Sequence, residues 1–274
     1  MIEPIVSVSW LTETLEKEPS DVALADVRWY LDGRDGYSAY LDGHLPGAVF
    51  IDLDTVLAGP GGPSIGRHPL PEPEVFARGL GRAGIGEDSM VVAYDDAAGM
   101  IASRLVWMLR ILGRNAALLD GGLDAWTGPL ERGAPETRAV AHKAEPWPDN
   151  FLAGAENVKQ HLADGGLVVD ARAAERYRGE FEPVDPRPGH IPGAVNLPFT
   201  DLLRDGSLRS DVRDILEERG IDSTTIAYCG SGVSACLEVL AAESVGLGRP
   251  RLYIGSWSGW SSEPSRPAAL GDEQ

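Results

Sequence analysis

The sequence predicts an α/β fold in two tandem copies, each an open, mostly parallel sheet with helices on both faces, and three observations carry that prediction. The chain has 274 residues, a comfortable length for two domains when domains cluster near ~100–150 residues. The same succession of motifs runs twice along it, in the same order. Within each copy, short β-branched runs such as residues 168–169 and 225–228 alternate with helical stretches such as 103–112 and 236–244, the pattern of parallel strands joined by crossover helices.

The repeat can be followed element by element. LADVRW (residues 24–29) is echoed by VVDARA (168–173), setting Asp26 opposite Asp170. GHLPGAVFIDL (43–53) is echoed by GHIPGAVNLPF (189–199), setting His44 opposite His190. The stretch from Met90 to Leu109 matches Thr225 to Ala242, pairing Tyr94 with Tyr228, and LLDGGLDAW matches LYIGSWSGW, pairing Trp126 with Trp260. The first copy carries a longer middle loop. Residues 128–150 are rich in Pro, Ala and charge without periodicity and read as a linker, with the boundary near Pro146. The domains are therefore assigned to residues 1–140 and 153–274, with 141–152 joining them.

Composition narrows the function. Hydrophobic residues make up 43% and charged residues 24%, a soluble globular balance, and no apolar run approaches the ~20 residues that span a bilayer. A membrane partner is excluded. A net charge of −18 repels phosphate backbones, which excludes nucleic acid. The two cysteines, Cys229 and Cys236, form neither a CxxC pair nor a disulfide framework, and no histidine stands near them to suggest zinc. A reducing compartment fits, and the N-terminal stretch lacks the basic-then-apolar pattern of a secretory signal, so the cytoplasm is the expected location.

Several motif matches fail on context. Gly62-Pro63-Ser64-Ile65-Gly66 satisfies G-x-S-x-G but lies in a Pro/Gly-rich loop. Gly79 to Gly84 satisfies G-x-G-x-x-G but follows a helix and precedes a strand, the reverse of a dinucleotide site. Gly230 to Ala235 follows a strand and opens a helix, but starts too late for a dinucleotide-binding fold to be completed after it.

The informative feature is the cysteine before that last loop. Cys229 ends a strand and heads Cys-Gly-Ser-Gly-Val-Ser, whose small residues let successive N–H groups turn inward beside a helix starting near Ser234 or Ala235. Such a cradle favours negative charge, and helix N-termini lower thiol pKa values, so Cys229 is expected to act as a thiolate. The alternative, a buried inert cysteine, fits Cys236 better, since it lies inside the helix between Ala235 and Leu237.

These segments together resemble the two-domain rhodanese-type sulfurtransferases. The resemblance rests on GHLPGA and GHIPGA, the Asp-Val-Arg and Asp-Ala-Arg strand ends, GGLDAW and GSWSGW, and the Cys229 loop, and it spans nearly the whole chain. It implies two tandem rhodanese-like domains. The loop is similar to that of the 3-mercaptopyruvate branch, because the thiosulfate branch carries basic side chains where Gly230 and Ser231 stand. Carried over by resemblance, Cys229 accepts the sulfur; Ser231, His68 and Asp52 form a Ser/His/Asp set with two members from the first domain; and Arg176 binds the donor carboxylate. Without the family, His68 would read as a solvated loop residue and Asp52 as a turn cap. A second carboxylate-binding arginine is out of register: Asp185 stands near its place, and Arg187 fits only with a gap. Gly230, Gly232, Val233 and Ser234 complete the donor cradle.

The resemblance further implies a double displacement through a Cys229 persulfide, with cyanide or a thiol such as thioredoxin as acceptor and no metal or organic cofactor. In the first copy Asp95 stands opposite Cys229, and a carboxylate cannot carry a sulfane sulfur, so that domain is expected to be catalytically silent. Three alternatives remain: a thiosulfate:cyanide sulfurtransferase, a non-catalytic binding module, and a cysteine phosphatase. The last requires an arginine where Ala235 stands.

Overall fold

The computed structural model describes residues 1–17 and 22–272. Two compact units emerge. The first comprises Met1–Gly59, Pro71–Trp147 and Asp205–Leu208; the second comprises Pro60–Leu70, Pro148–Arg204 and Arg209–Gln274. Residues 60–70, assigned by sequence to the first domain, therefore belong to the second unit. The reason is local bonding: Ser64 N–H donates to Ser262 Oγ at 2.9 Å and Arg67 N–H to Ser258 Oγ at 3.1 Å.

In the first unit five parallel strands lie in the spatial order Ile5–Val6, Ala116–Leu119, Met90–Tyr94, Val22–Asp26, Val49–Phe50. Around them pack α1 (Val8–Lys17), α2 (Gly36–Asp42), α3 (Pro73–Arg82), α4 (Ala102–Ile111) and the short α5 (Gly122–Ala125). The second unit repeats the order with Leu152–Ala153, Arg251–Tyr253, Ile226–Tyr228, Val168–Asp170 and Val195–Asn196, again all parallel. Its helices are α6 (Ala155–Ala163), α7 (Ala174–Tyr177), α8 (Val212–Glu218), α9 (Ala235–Ser244) and α10 (Ser256–Ser261). Covering a parallel sheet on both faces buries its central strands, which is why Met90–Tyr94 and Ile226–Tyr228 read as nearly continuous apolar runs. Among the described residues no helix is long and apolar enough to cross a membrane.

The motifs that betray the duplication turn out to be its scaffold. Arg28 bonds Asp26 and the Gly43 carbonyl, both at 2.7 Å, just as Arg172 bonds Asp170 at 2.5 Å and the Gly189 carbonyl at 2.8 Å. Leu45 N–H donates to Tyr94 Oη and Ile191 N–H to Tyr228 Oη. His44 stacks on Tyr40 and His190 on Tyr177, with each ring Nδ1 at 2.8–2.9 Å from the tyrosine's carbonyl. Apart from His44 Nε2, which has no hydrogen-bond partner among the described residues, these buried polar groups are bonded within the fold, so the repeated Asp, Arg and His residues hold loops to strands. The copies differ where Tyr meets His: the connection from Tyr177 to His190 is the longer one and carries Glu182 and Asp185.

Candidate active site

The strand Ile226–Tyr228 ends at Cys229, and α9 begins at Ala235 with Ser234 at its cap, so the intervening loop sits at the carboxyl edge of the sheet. The left-handed backbone of Gly232 (φ 78°) reverses the chain there and brings its N–H to 3.2 Å from Cys229 Sγ. The first turn of α10 fixes the other side. Trp257 N–H donates to the Cys229 carbonyl and Ser258 N–H to the Gly230 carbonyl, both at 2.9 Å, and Cys229 N–H donates to Ser256 Oγ at 3.3 Å. The loop is thereby rigid and desolvated, with Cys229 only 1% exposed and Ser231 and Val233 buried beside it. Cys236 is fully buried and donates its thiol hydrogen to the Gly232 carbonyl, a packing role.

Residues 60–70 supply the next layer. Gly62 and Gly66 exchange backbone hydrogen bonds of 3.0 and 3.1 Å, closing a tight loop over α10. Gly259 permits the approach: a Cβ there would lie 3.0 Å from Gly66 N and from the Ser64 carbonyl oxygen. The chain leaving this loop places His68 Nδ1 2.8 Å from Ser231 Oγ.

Arg176, on α7, grips Glu182 through Nε and Nη2 at 3.2 and 2.7 Å and reaches Asp185 through Nη2 at 3.0 Å. Arg67 pairs with the other oxygen of Asp185 through Nη1. Burial pushes the Asp185 carboxyl above its ordinary range, with Arg67 pulling against it; Glu182 resists the same desolvation and is held below its range, chiefly by Arg176. Both guanidiniums border the cysteine loop, since a Cβ on Gly230 would lie 3.2 Å from Arg67 Nη2 and 3.4 Å from Arg176 Nη1. The guanidiniums beside the loop thus come from two arginines elsewhere in the sequence, each paired with a carboxylate.

Two sequence candidates are occupied differently. Arg187 donates to the carbonyls of Ser261, Arg266, Trp260 and Glu263, at 2.7, 3.0, 3.3 and 3.1 Å, and so ties the C-terminal segment rather than offering a second anion contact. Asp52 belongs to the first unit, where Oδ1 accepts from Thr55 N–H at 2.8 Å and Thr55 Oγ1 at 2.6 Å, capping the turn Leu53–Leu57. Its cap geometry is the turn-cap reading that the sequence alone favoured. Arg67 was missed, because only its pairing with Asp185 distinguishes it from a loop arginine.

The first copy holds a carboxylate in its equivalent loop. Asp95 fills its own cradle, accepting N–H bonds of 2.8 Å from Ala97, Gly99, Ile101 and Ala102, with Ala98 at the same left-handed turn (φ 54°) as Gly232. Burial raises the Asp95 carboxyl while those four N–H groups oppose the shift.

A tandem parallel α/β protein with a free, buried cysteine cradled at the edge of its second sheet is the class that fold and loop define. The chain belongs to the rhodanese family: the Rhodanese-like domain matches residues 7–129 and 154–263. It is similar to a Pseudomonas aeruginosa protein described as "Probable 3-mercaptopyruvate sulfurtransferase", 42% identical over 92% of this chain and 93% of that one. A Mycobacterium tuberculosis protein described as "Putative thiosulfate sulfurtransferase SseB" is 41% identical over 91% of each chain. Among solved structures, the SseA protein of Escherichia coli, described as one of the "3-mercaptopyruvate sulfotransferases", superposes with a TM-score of 0.81 at 33% identity, covering 94% of this chain and 100% of that one. The protein is a two-domain rhodanese-type sulfurtransferase.

Proposed function

We propose that the protein moves the sulfane sulfur of 3-mercaptopyruvate through a persulfide on Cys229 to cyanide or a thiol acceptor, with thioredoxin among the thiols of suitable chemistry. The observation that carries the reading is the Gly232 N–H at 3.2 Å from Cys229 Sγ in a loop bordered by Arg67 and Arg176. The Cys229 thiolate attacks the donor sulfur; the carbon–sulfur bond breaks, and its electron pair passes to carbon as the enolate of pyruvate. Ser231, hydrogen-bonded to His68, delivers the proton that converts the enolate to pyruvate. The persulfide's outer sulfur, stabilised as an anion by the loop and the helix N-terminus, is then attacked by the acceptor, and the sulfur–sulfur bond returns its electrons to Cys229. Every step uses side-chain and backbone groups of the chain itself, without a metal or organic cofactor. Of the Ser/His/Asp set, the reading rests on Ser231 and His68, with Asp52 supporting the first domain through Thr55. Two free cysteines suit a reducing cytoplasm.

A second reading has an observation of its own: two guanidiniums beside one loop also suit the thiosulfate dianion. Donor kinetics side by side decide between them. Mercaptopyruvate is expected to give the higher kcat/KM, and equal or better turnover of thiosulfate would overturn the donor assignment. Intact mass after donor treatment should rise by one sulfur in the parent and in Cys236→Ser but not in Cys229→Ser; a persulfide on the last would refute the nucleophile.

A further inference from the structure

We infer that Arg67 is the second guanidinium that receives the donor carboxylate, acting beside Arg176, and that Asp185 is the carboxylate that positions both. This rests on the function proposed above and adds the recognition element that the sequence left unfilled. Where the family resemblance expects another arginine after Arg176, this chain has Asp185, and Arg187 is committed to four main-chain carbonyls. The missing charge returns from a distant part of the sequence. Arg67 is anchored by its own N–H to Ser258 Oγ, at the end of a loop held to α10, and its Nη1 pairs with Asp185.

The use of the N–H donors separates a binding clamp from a merely structural ion pair. Asp185 accepts through one oxygen from Arg67 and through the other from Arg176, while Glu182 occupies Nε and Nη2 of Arg176. Glu182 is itself held by Arg172 and by the N–H groups of Val184 and Asp185. The acids thus engage the rear of both guanidiniums. Among the described residues, Arg67 Nη2 and Arg176 Nη1 have no hydrogen-bond partner, and these two nitrogens are the ones nearest the would-be Cβ of Gly230, at 3.2 and 3.4 Å. Unspent donors from two planar groups therefore converge beside the residue that follows Cys229, an arrangement suited to a carboxylate carried on a short donor. Gly230 has no side chain to block it. Asp185 is nearly inaccessible, its side chain 1% exposed, while Arg67 and Arg176 retain 32% and 19%; the holder is sealed in and the clamp faces outward.

The test uses the full chain and two donors, 3-mercaptopyruvate and mercaptopropanone, which keeps the thiol and ketone and replaces the carboxylate by a methyl group. Arg67→Gln is expected to raise KM for mercaptopyruvate tenfold or more and to raise that for mercaptopropanone several-fold less. Asp185→Asn, which keeps the shape and loses the charge, is expected to raise KM for mercaptopyruvate three- to tenfold, with a smaller rise for mercaptopropanone. Arg67→Lys carries the same comparison should Arg67→Gln fail to fold, its single ammonium giving an intermediate KM. An unchanged KM in the Arg67 variants, or equal losses with both donors, would overturn the assignment. Failure of the unsubstituted protein to turn over either thiol would instead refute the proposed donor class, an outcome read before any variant is made.

Discussion

His68 Nδ1 lies 2.8 Å from Ser231 Oγ although the two residues are 163 positions apart in sequence. The contact forms because residues 60–70 pack in the same unit as the cysteine loop, held by Ser258 and Ser262. A hydroxyl so paired can pass a proton to carbon as the enolate forms. Ser231→Ala and His68→Gln should therefore lower kcat with mercaptopyruvate about a hundredfold, the lower end of what positioned proton transfer contributes. Thiosulfate, whose leaving group is sulfite, needs no proton on carbon and should lose far less. Equal losses with the two donors would assign the pair to loop structure instead.

The same packing gives a test that leaves the loop's own chemistry untouched. Gly259 stands against Gly66 N and the Ser64 carbonyl oxygen, each 3.0 Å from where a Cβ would be. Gly259→Val should push residues 60–70 off α10, costing about 1–3 kcal/mol by overpacking. His68 and Arg67 are then displaced together, so kcat should fall and KM rise in one variant. Thermal unfolding and donor kinetics read both; wild-type kinetics with a lowered Tm would show that the loop's seat does not matter to catalysis.

Much of this was legible in the sequence, and the reasons for the remainder are physical. The duplication, the parallel sheets and the Cys229 loop are written in local motifs: a strand end, small residues and a helix start lie together within Ile226–Ser244. Arg67 and His68 were harder, because contacts across the sequence assign their loop to the second unit while its position in the chain suggests the first. Asp185 and Arg67 each look unremarkable alone, and only as an ion pair do they replace the arginine the resemblance expected. The paired histidines His44 and His190 carry a conspicuous motif, yet their rings stack on tyrosines and bond carbonyls.

Asp95 makes the first cradle self-filled, and that yields a prediction about gain of function. Removing its carboxylate in Asp95→Ala leaves four N–H groups without their acceptor, at a cost of about 4 kcal/mol or more, since each buried unmade bond costs ~1–3 kcal/mol. Asp95→Cys restores a thiol at the position equivalent to Cys229. The residue after it, however, is Asp96, accepting a 2.6 Å bond from Tyr30, where the second copy has Gly230 beside two guanidiniums. An anionic donor should be repelled there, so Asp95→Cys in a Cys229→Ser background is expected to take up no sulfur. A mass increase of one sulfur in that double variant would show that the first copy lacks only a thiol.

Glu238 predicts how stability depends on pH. It lies on α9, is 3% exposed, and neither carboxyl oxygen has a hydrogen-bond partner among the described residues. Burial pushes its carboxyl well above the ordinary range, and the neighbouring charges of Asp170 and Cys229 push the same way. The folded state therefore holds a proton that the unfolded chain releases above its ordinary glutamate value. The stability from this group is fully present below the unfolded pKa of 4.5 and is lost as pH rises toward and through the raised folded value. Glu238→Gln keeps the shape and cannot titrate, so its Tm advantage over the parent should be smallest near pH 4.5 and widen as pH rises. The slope between the two pKa values approaches 1.4 kcal/mol per pH unit, equivalent to roughly 3–5 °C in Tm for a chain of this size. Parallel Tm curves for the two proteins from pH 4.5 to 8 would show that Glu238 does not change its proton occupancy on folding.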